Sequence, residues 1–179
     1  MAKDKFSVLI RCKNEERWIG HCIQSIIDHL DKPEIIVIDN NSNDETLNIV
    51  NHFIEDPKLD KKNDKRYTDI KIFNIKDYSP GKSLNLGVKK AKYENILILS
   101  AHCVLKKIST KNLVKDLKDY RAIFGNQIPL WNGKKISKRY IWSHFVNKEV
   151  VNMYSQMENR HFMHNALAIY NRNFLLKNK

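Results

Sequence analysis

Cysteine is scarce in this chain, and what there is does not pair up. Cys12, Cys22 and Cys103 are odd in number and far apart, which excludes a disulfide framework. A reducing cytoplasm suits such a chain best. No apolar run is long enough to cross a bilayer, and the N-terminus lacks the apolar core of a secretory signal. Arginine is sparse beside lysine and asparagine, the mark of an AT-rich coding bias. There is no internal repeat, no low-complexity tract and no motif that reads DNA or RNA, so a nucleic-acid partner is not expected.

What is present is enough for one domain with a real core: 179 residues, here read as a single unit over 1–179. The formal net charge is +12 and the sequence pI about 9.6. Such a surface attracts polyanions, whether anionic lipid or a nucleoside diphosphate. Coding bias accounts for much of the excess. Lys134, Lys135, Lys138 and Arg139 form a modest cluster that a membrane surface could meet peripherally, though a solvated face explains it more simply.

Residues 34–46, EIIVIDNNSNDET, are the most informative stretch. An apolar run ends at Asp39, and Ser42-x-x-Glu45 follows in the pattern of a capping box. That predicts a buried strand, a polar turn and a helix over 43–55. An acid at the carboxyl end of a central strand stands where open α/β sheets bind ligands. Asp39 either accepts hydrogen bonds from a base or ribose there, or merely ends the strand. A second apolar run, 6–10, precedes RCKNEE. Trp18, Ile19, Cys22, Ile23, Ile26, Ile27 and Leu30 then recur at helical spacing, as one buried face of a helix within 15–30. Further strands are expected at 70–75, 95–99, 122–124 and 166–170. Helices are expected from Ser79-Pro80, over 110–120 and over 137–157, with Asn171 capping a last turn. Residues 56–68 read as an exposed loop. Parallel strands with crossover helices pack this order most economically.

Three blocks in sequence, IRCKNEERWIGHCIQSI, EIIVIDNNSNDET and SPGKSLNLGVKKAKYENILILSAHC, resemble the N-terminal half of inverting family 2 glycosyltransferases. Gly81, Asn85 and Gly87 match the family's Gly-x-x-x-Asn-x-Gly helix. The resemblance implies a GT-A fold: a three-layer α/β/α arrangement with a mainly parallel central sheet. It also implies a nucleotide-binding half at 6–105 and a partial acceptor-side half at 106–179. The activity implied is transfer from a nucleotide-activated sugar to a saccharide or lipid-linked acceptor, in cell-surface polysaccharide synthesis at the cytoplasmic side.

The same resemblance assigns Asp39 to the nucleoside, and Arg11, Asn14, Glu15 and Asn41 to the loops around it. Glu15 in particular shapes its loop or caps the helix. Asp44 is chiefly structural. Lys82 is either a point charge near the diphosphate or an ordinary surface lysine. Asn85 is expected to be a buried polar residue bonding the nucleotide loop. Where the family carries Asp-x-Asp, this chain has Ser100-Ala101-His102. His102 therefore either ligates a divalent cation, with Mn²⁺ more tolerant of imidazole than Mg²⁺, or stabilises the diphosphate with no metal. Losing both acids tilts the reading toward metal-independence. Cys103 should point away from His102. The family's catalytic base has no counterpart. Asp119 and Glu158 are the last acids and sit in no matching motif. His161 and His164 are the nearest substitutes. The chain is accordingly expected to be short at its C-terminus and catalytically incomplete. Apolar surface near Phe162, Leu167 and Phe174 would then await a partner chain or a second copy.

Overall fold

The structure, a computed structural model, describes residues 5–54, 68–136, 148–156, 159–161 and 163–178. Four strands lie side by side in parallel: β1 (Phe6–Cys12), β2 (Glu34–Asp39), β3 (Asp69–Asn74) and β4 (Asn95–Ser100). β5 (Ala122–Phe124) and β10 (Leu167–Asn171) complete the sheet in the order β3-β2-β1-β4-β10-β5. β10 runs antiparallel to both of its neighbours. Two small hairpins stand apart, β6 (Leu130–Trp131) with β7 (Lys134–Lys135), and β8 (Tyr154–Ser155) with β9 (Arg160–His161).

The apolar runs are continuous because both sheet faces are covered. On one face, Val8, Ile10, Ile35, Val37, Leu97 and Leu99 pack against α1 (Ile19–His29), α2 (Thr46–Ile54) and α4 (Thr110–Asp116). On the other, Leu9, Ile36, Ile38, Ile96 and Ile98 meet α3 (Pro80–Lys90) and α5 (Arg172–Lys177). The chain is thus a three-layer α/β/α structure with a mainly parallel central sheet. Among the described residues no helix is long and apolar enough to cross a membrane.

α3 begins as its sequence dictates. Ser79 Oγ accepts the Lys82 N–H at 3.1 Å, and Pro80 takes the first helical position. Gly87 brings this helix onto the sheet. A Cβ there would lie 2.8 Å from Ile38 Cδ1 and 3.0 Å from Leu9 Cδ1, and both side chains are fully buried. Gly87→Val should therefore overpack the layer and lower stability by about 1–3 kcal/mol. Urea denaturation would measure this, and an unchanged midpoint would refute the close packing.

Several expectations need correction. The capping box does not form. Ser42 Oγ is occupied by Asp39, and α2 starts later, at Thr46. The Glu45 N–H is instead capped by Glu16 Oε2 from a different loop, at 3.0 Å. Trp18 is half-exposed rather than part of the buried face of α1. The helix expected over 137–157 is absent across 148–156, where turns and β8 stand and Asn152 adopts φ 50°; its earlier part lies outside the described residues, as does the loop 56–67. Uncovered apolar surface is found elsewhere than expected. Leu167 and Phe174 are half-buried, and Phe162 is outside the described residues. The exposed apolar side chains include Ile128, Leu130, Trp131 and Ile136 around the β6–β7 hairpin, with Trp131 70% exposed.

Candidate active site

β1 and β2 end level, with Cys12 opposite Asp39. The two following loops therefore leave the carboxyl edge side by side, and they interlock. Asn14 N donates to Ser42 Oγ (2.9 Å), while Asn43 N donates to Asn14 Oδ1 (2.9 Å). Glu15 N donates to Thr46 Oγ1 (2.7 Å) and Glu16 N to Asp44 Oδ2 (3.1 Å). Asp44 also accepts from Thr46 N at 3.0 Å, which accounts for its structural role. Asn14 and Asn41 both turn through the left-handed region, at φ 55° and 53°, a conformation asparagine tolerates better than most residues.

Asp39 lies beneath these loops and is 0% exposed. Its carboxylate accepts from Ser42 N (3.0 Å), Ser42 Oγ (2.5 Å) and, more distantly, Asn74 Nδ2 (3.5 Å). Cys12 Sγ approaches the same carboxylate at 3.6 Å. Burial, and then the Asp39 charge, push the Cys12 thiol far above its ordinary range. Burial does the same to Cys22. Both therefore stay protonated and are unsuited to nucleophilic or metal chemistry.

Side-chain alternation divides the remaining candidates between the sheet faces. Asp39 shares the face of Ile35 and Val37, toward α1 and α2, whereas Arg11 shares the face of Leu9, toward α3. Arg11 Nη1 donates to Tyr78 Oη at 3.4 Å. Lys82, at the start of α3, is exposed and paired with Asp77. Asn85 is exposed, contrary to its expected burial. Ser83 and Gly87 take the inward positions of α3, so Asn85 turns outward.

After β4 the chain turns at Ala101 and His102. His102 is exposed, and its Nδ1 stands 3.3 Å from Glu15 Oε1. Cys103 turns the other way, against the core. Ser100 N donates to Ala166 O at 3.0 Å, which brings the segment before β10 to this same edge. His164 belongs to that segment. Its Nδ1 accepts from Ala166 N at 3.1 Å and contacts Gln127 Nε2. Desolvation lowers its pKa, so the neutral ring, with its proton on Nε2, is the favoured form. His161 lies in the β8–β9 hairpin, exposed, with Nδ1 3.2 Å from Asn152 O. Among the described residues, no three His, Cys, Asp or Glu side chains gather as a metal-binding group.

A parallel sheet with two interlocked loops at its carboxyl edge is a general plan for nucleotide binding. The sequence model described as Glycosyl transferase family 2 matches residues 7–177. The chain belongs to this family. A poly-beta-1,6-N-acetyl-D-glucosamine synthase of Staphylococcus epidermidis is 29% identical over 114 residues, which cover 63% of this chain and 25% of that protein. S. aureus TarS, in crystals of residues 1–349, superimposes with a TM-score of 0.67 at 21% identity, over 97% of this chain and 49% of that one. The same fragment is known in complex with UDP-GlcNAc and with UDP. A mannosyltransferase from Pyrobaculum calidifontis, in complex with GDP-Man and Mn²⁺, matches with a TM-score of 0.62 at 15% identity, over 96% of this chain and 46% of that one. This family 2 chain thus spans a quarter of the curated relative and about half of each of these solved structures.

Two features of the site were not expected from the sequence. One is the Glu15–His102 contact, which spans 87 positions. The other is the Arg11–Tyr78 bond, across 67. Neither has a local signal, because each depends on which strands become neighbours.

Proposed function

We propose that this family 2 chain binds a nucleoside-diphosphate sugar and transfers the sugar to a saccharide or lipid-linked acceptor during cell-surface polysaccharide synthesis. The family match across residues 7–177 carries this reading. The named ligands of the solved relatives, UDP-GlcNAc and GDP-Man, support a nucleotide sugar as the donor class. Three free cysteines suit a reducing cytoplasm.

In this proposal Asp39 fixes the two interlocked loops that bear Asn14 and Asn41, on which the nucleoside rests. Arg11, Lys82 and His102 meet the diphosphate, with Asn85 one helical turn beyond Lys82. The divalent cation implied by the family resemblance fits these residues poorly. Ser100 and Ala101 offer no carboxylate, and the Glu15 carboxylate is already turned to His102. We therefore read the leaving diphosphate as stabilised by Arg11, Lys82 and an N–H of His102, with His102 no metal ligand. A second reading, a nucleotide-sugar-binding module that needs a partner chain for turnover, draws support from His164. With Nδ1 accepting from the main chain, His164 is poorly suited to take a proton from an acceptor hydroxyl.

Calorimetry with UDP, GDP and their sugar derivatives, in EDTA and then in Mn²⁺, tests the proposal. Binding of one nucleoside diphosphate, unchanged by EDTA and weakened in His102→Ala, is expected. Absence of binding by every nucleotide would sink the function. Binding that needs Mn²⁺ would restore His102 as a metal ligand.

A further inference from the structure

Glu15 is held in place without its side chain. Its N–H donates to Thr46 Oγ1, and its carbonyl accepts from the Trp18 and Ile19 N–H groups, each at 2.9 Å. The carboxylate is left to face His102 across the sheet edge, from the loop after β1 to the turn after β4. It is the more enclosed partner, at 23% side-chain exposure against 59% for His102. An ionised carboxylate only accepts, so the proton of this contact sits on His102 Nδ1. Nε2 is then the ring nitrogen presented to a ligand.

We propose that Glu15 is the positioning residue for His102, fixing its ring so that the Nε2 edge meets the diphosphate of a bound nucleoside diphosphate. The inference rests on the donor-binding function above and adds to it. A diphosphate oxygen needs an N–H from Nε2. With Nδ1 turned to Glu15 at 3.3 Å, Nε2 is the ring nitrogen left to meet that oxygen, and the carboxylate decides where it points. The arrangement parallels that of metal-bound histidines, whose second nitrogen is fixed by a carboxylate, but here the ligand is an anion. Because the main chain of Glu15 makes the loop contacts, replacing its side chain removes the His102 link and leaves the interlocked loops intact.

The test measures UDP and uridine binding by calorimetry in EDTA for the wild-type chain, Glu15→Ala, His102→Ala and the double variant. GDP and guanosine replace them if the wild-type chain prefers that base. Each single substitution should weaken diphosphate binding about tenfold, as for a lost charge-assisted hydrogen bond. The double variant should be no weaker than either single one, because the two side chains act as a unit. Nucleoside binding should stay unchanged. Ring ¹⁵N spectra should show the His102 signals moving in Glu15→Ala and partly recovering in Glu15→Asp. Additive losses of about a hundredfold in the double variant would overturn the proposal. So would a Glu15→Ala chain with wild-type UDP affinity and unmoved His102 signals, in which case the donor-binding function would stand. A wild-type chain that binds neither nucleotide would end both.

Discussion

Glu34→Ala is expected to destabilise the fold by about 3 kcal/mol, the low end of the range for breaking a buried ion pair. Glu34 opens β2 and is 0% exposed. Its carboxylate accepts from Ser7 Oγ (2.5 Å), Lys92 N (2.8 Å) and Lys71 Nζ (2.8 Å). Asp69 closes the cluster, 2.7 Å from Lys92 Nζ and 3.3 Å from Lys71 Nζ. Removing the carboxylate strands a buried hydroxyl and a main-chain N–H, each deprived of its acceptor. Lys71 is partly exposed and can turn to water, which keeps the loss at the low end. The cluster lies at the amino edge of the sheet, opposite the site. Urea denaturation should therefore show the loss while nucleotide affinity of the folded protein stays unchanged. A loss below about 1 kcal/mol would mean that the cluster is only a surface network.

The same cluster sets a pH dependence. Desolvation opposes the charge of Asp69, but Lys92 and Lys71 outweigh it and lower its pKa below 3.8. Its contribution is therefore present above that value and fades as acid takes the pH through the folded-state pKa. Lys71, bonded to Glu34, has its pKa raised above 10.5. Its contribution is present below that value and fades as alkali takes the pH through the folded-state pKa.

The sheet was legible because burial on both faces demands unbroken apolar runs, and Phe6–Ile10, Ile35–Ile38 and Asn95–Leu99 supply them. Ser79-Pro80 and Asn171 were legible because their caps are local: Asn171 Oδ1 accepts from Phe174 N at 3.2 Å. Local signals mislead where a distant group competes for the same atoms. Ser42 has the sequence of a helix cap, but Asp39 at its own strand end and Asn14 from another loop use its hydroxyl first. Residues 148–156 carry apolar side chains at helical spacing, yet Val150 and Val151 are exposed. Periodicity marks a helix only when a surface exists to bury its face. Asn85 matched a family pattern, but the contact of Gly87 with Leu9 and Ile38 sets the rotation of α3 and turns Asn85 outward.

Asp39→Ala should weaken nucleotide binding by about 1–3 kcal/mol, the range for a lost hydrogen bond to a charged group. The enclosed position of Asp39 allows two routes to that effect, and Ser42 separates them. If Asp39 acts through the loop, its carboxylate holds Ser42 N and Oγ, and through them Asn14 N and the paired turns at Asn14 and Asn41. Ser42→Ala would then weaken binding nearly as much as Asp39→Ala, and the double variant would lose little more. If Asp39 instead touches the nucleoside directly, the Ser42 hydroxyl competes for Oδ1. Removing that hydroxyl would leave affinity unchanged or raise it. The loop route is the expected one, because both carboxylate oxygens are already engaged and the residue has no exposed surface. Calorimetry on the three variants decides between the routes, with thermal unfolding confirming that each is folded. Unchanged affinity in Asp39→Ala would remove the residue from the donor site altogether and leave it as the anchor of the strand end.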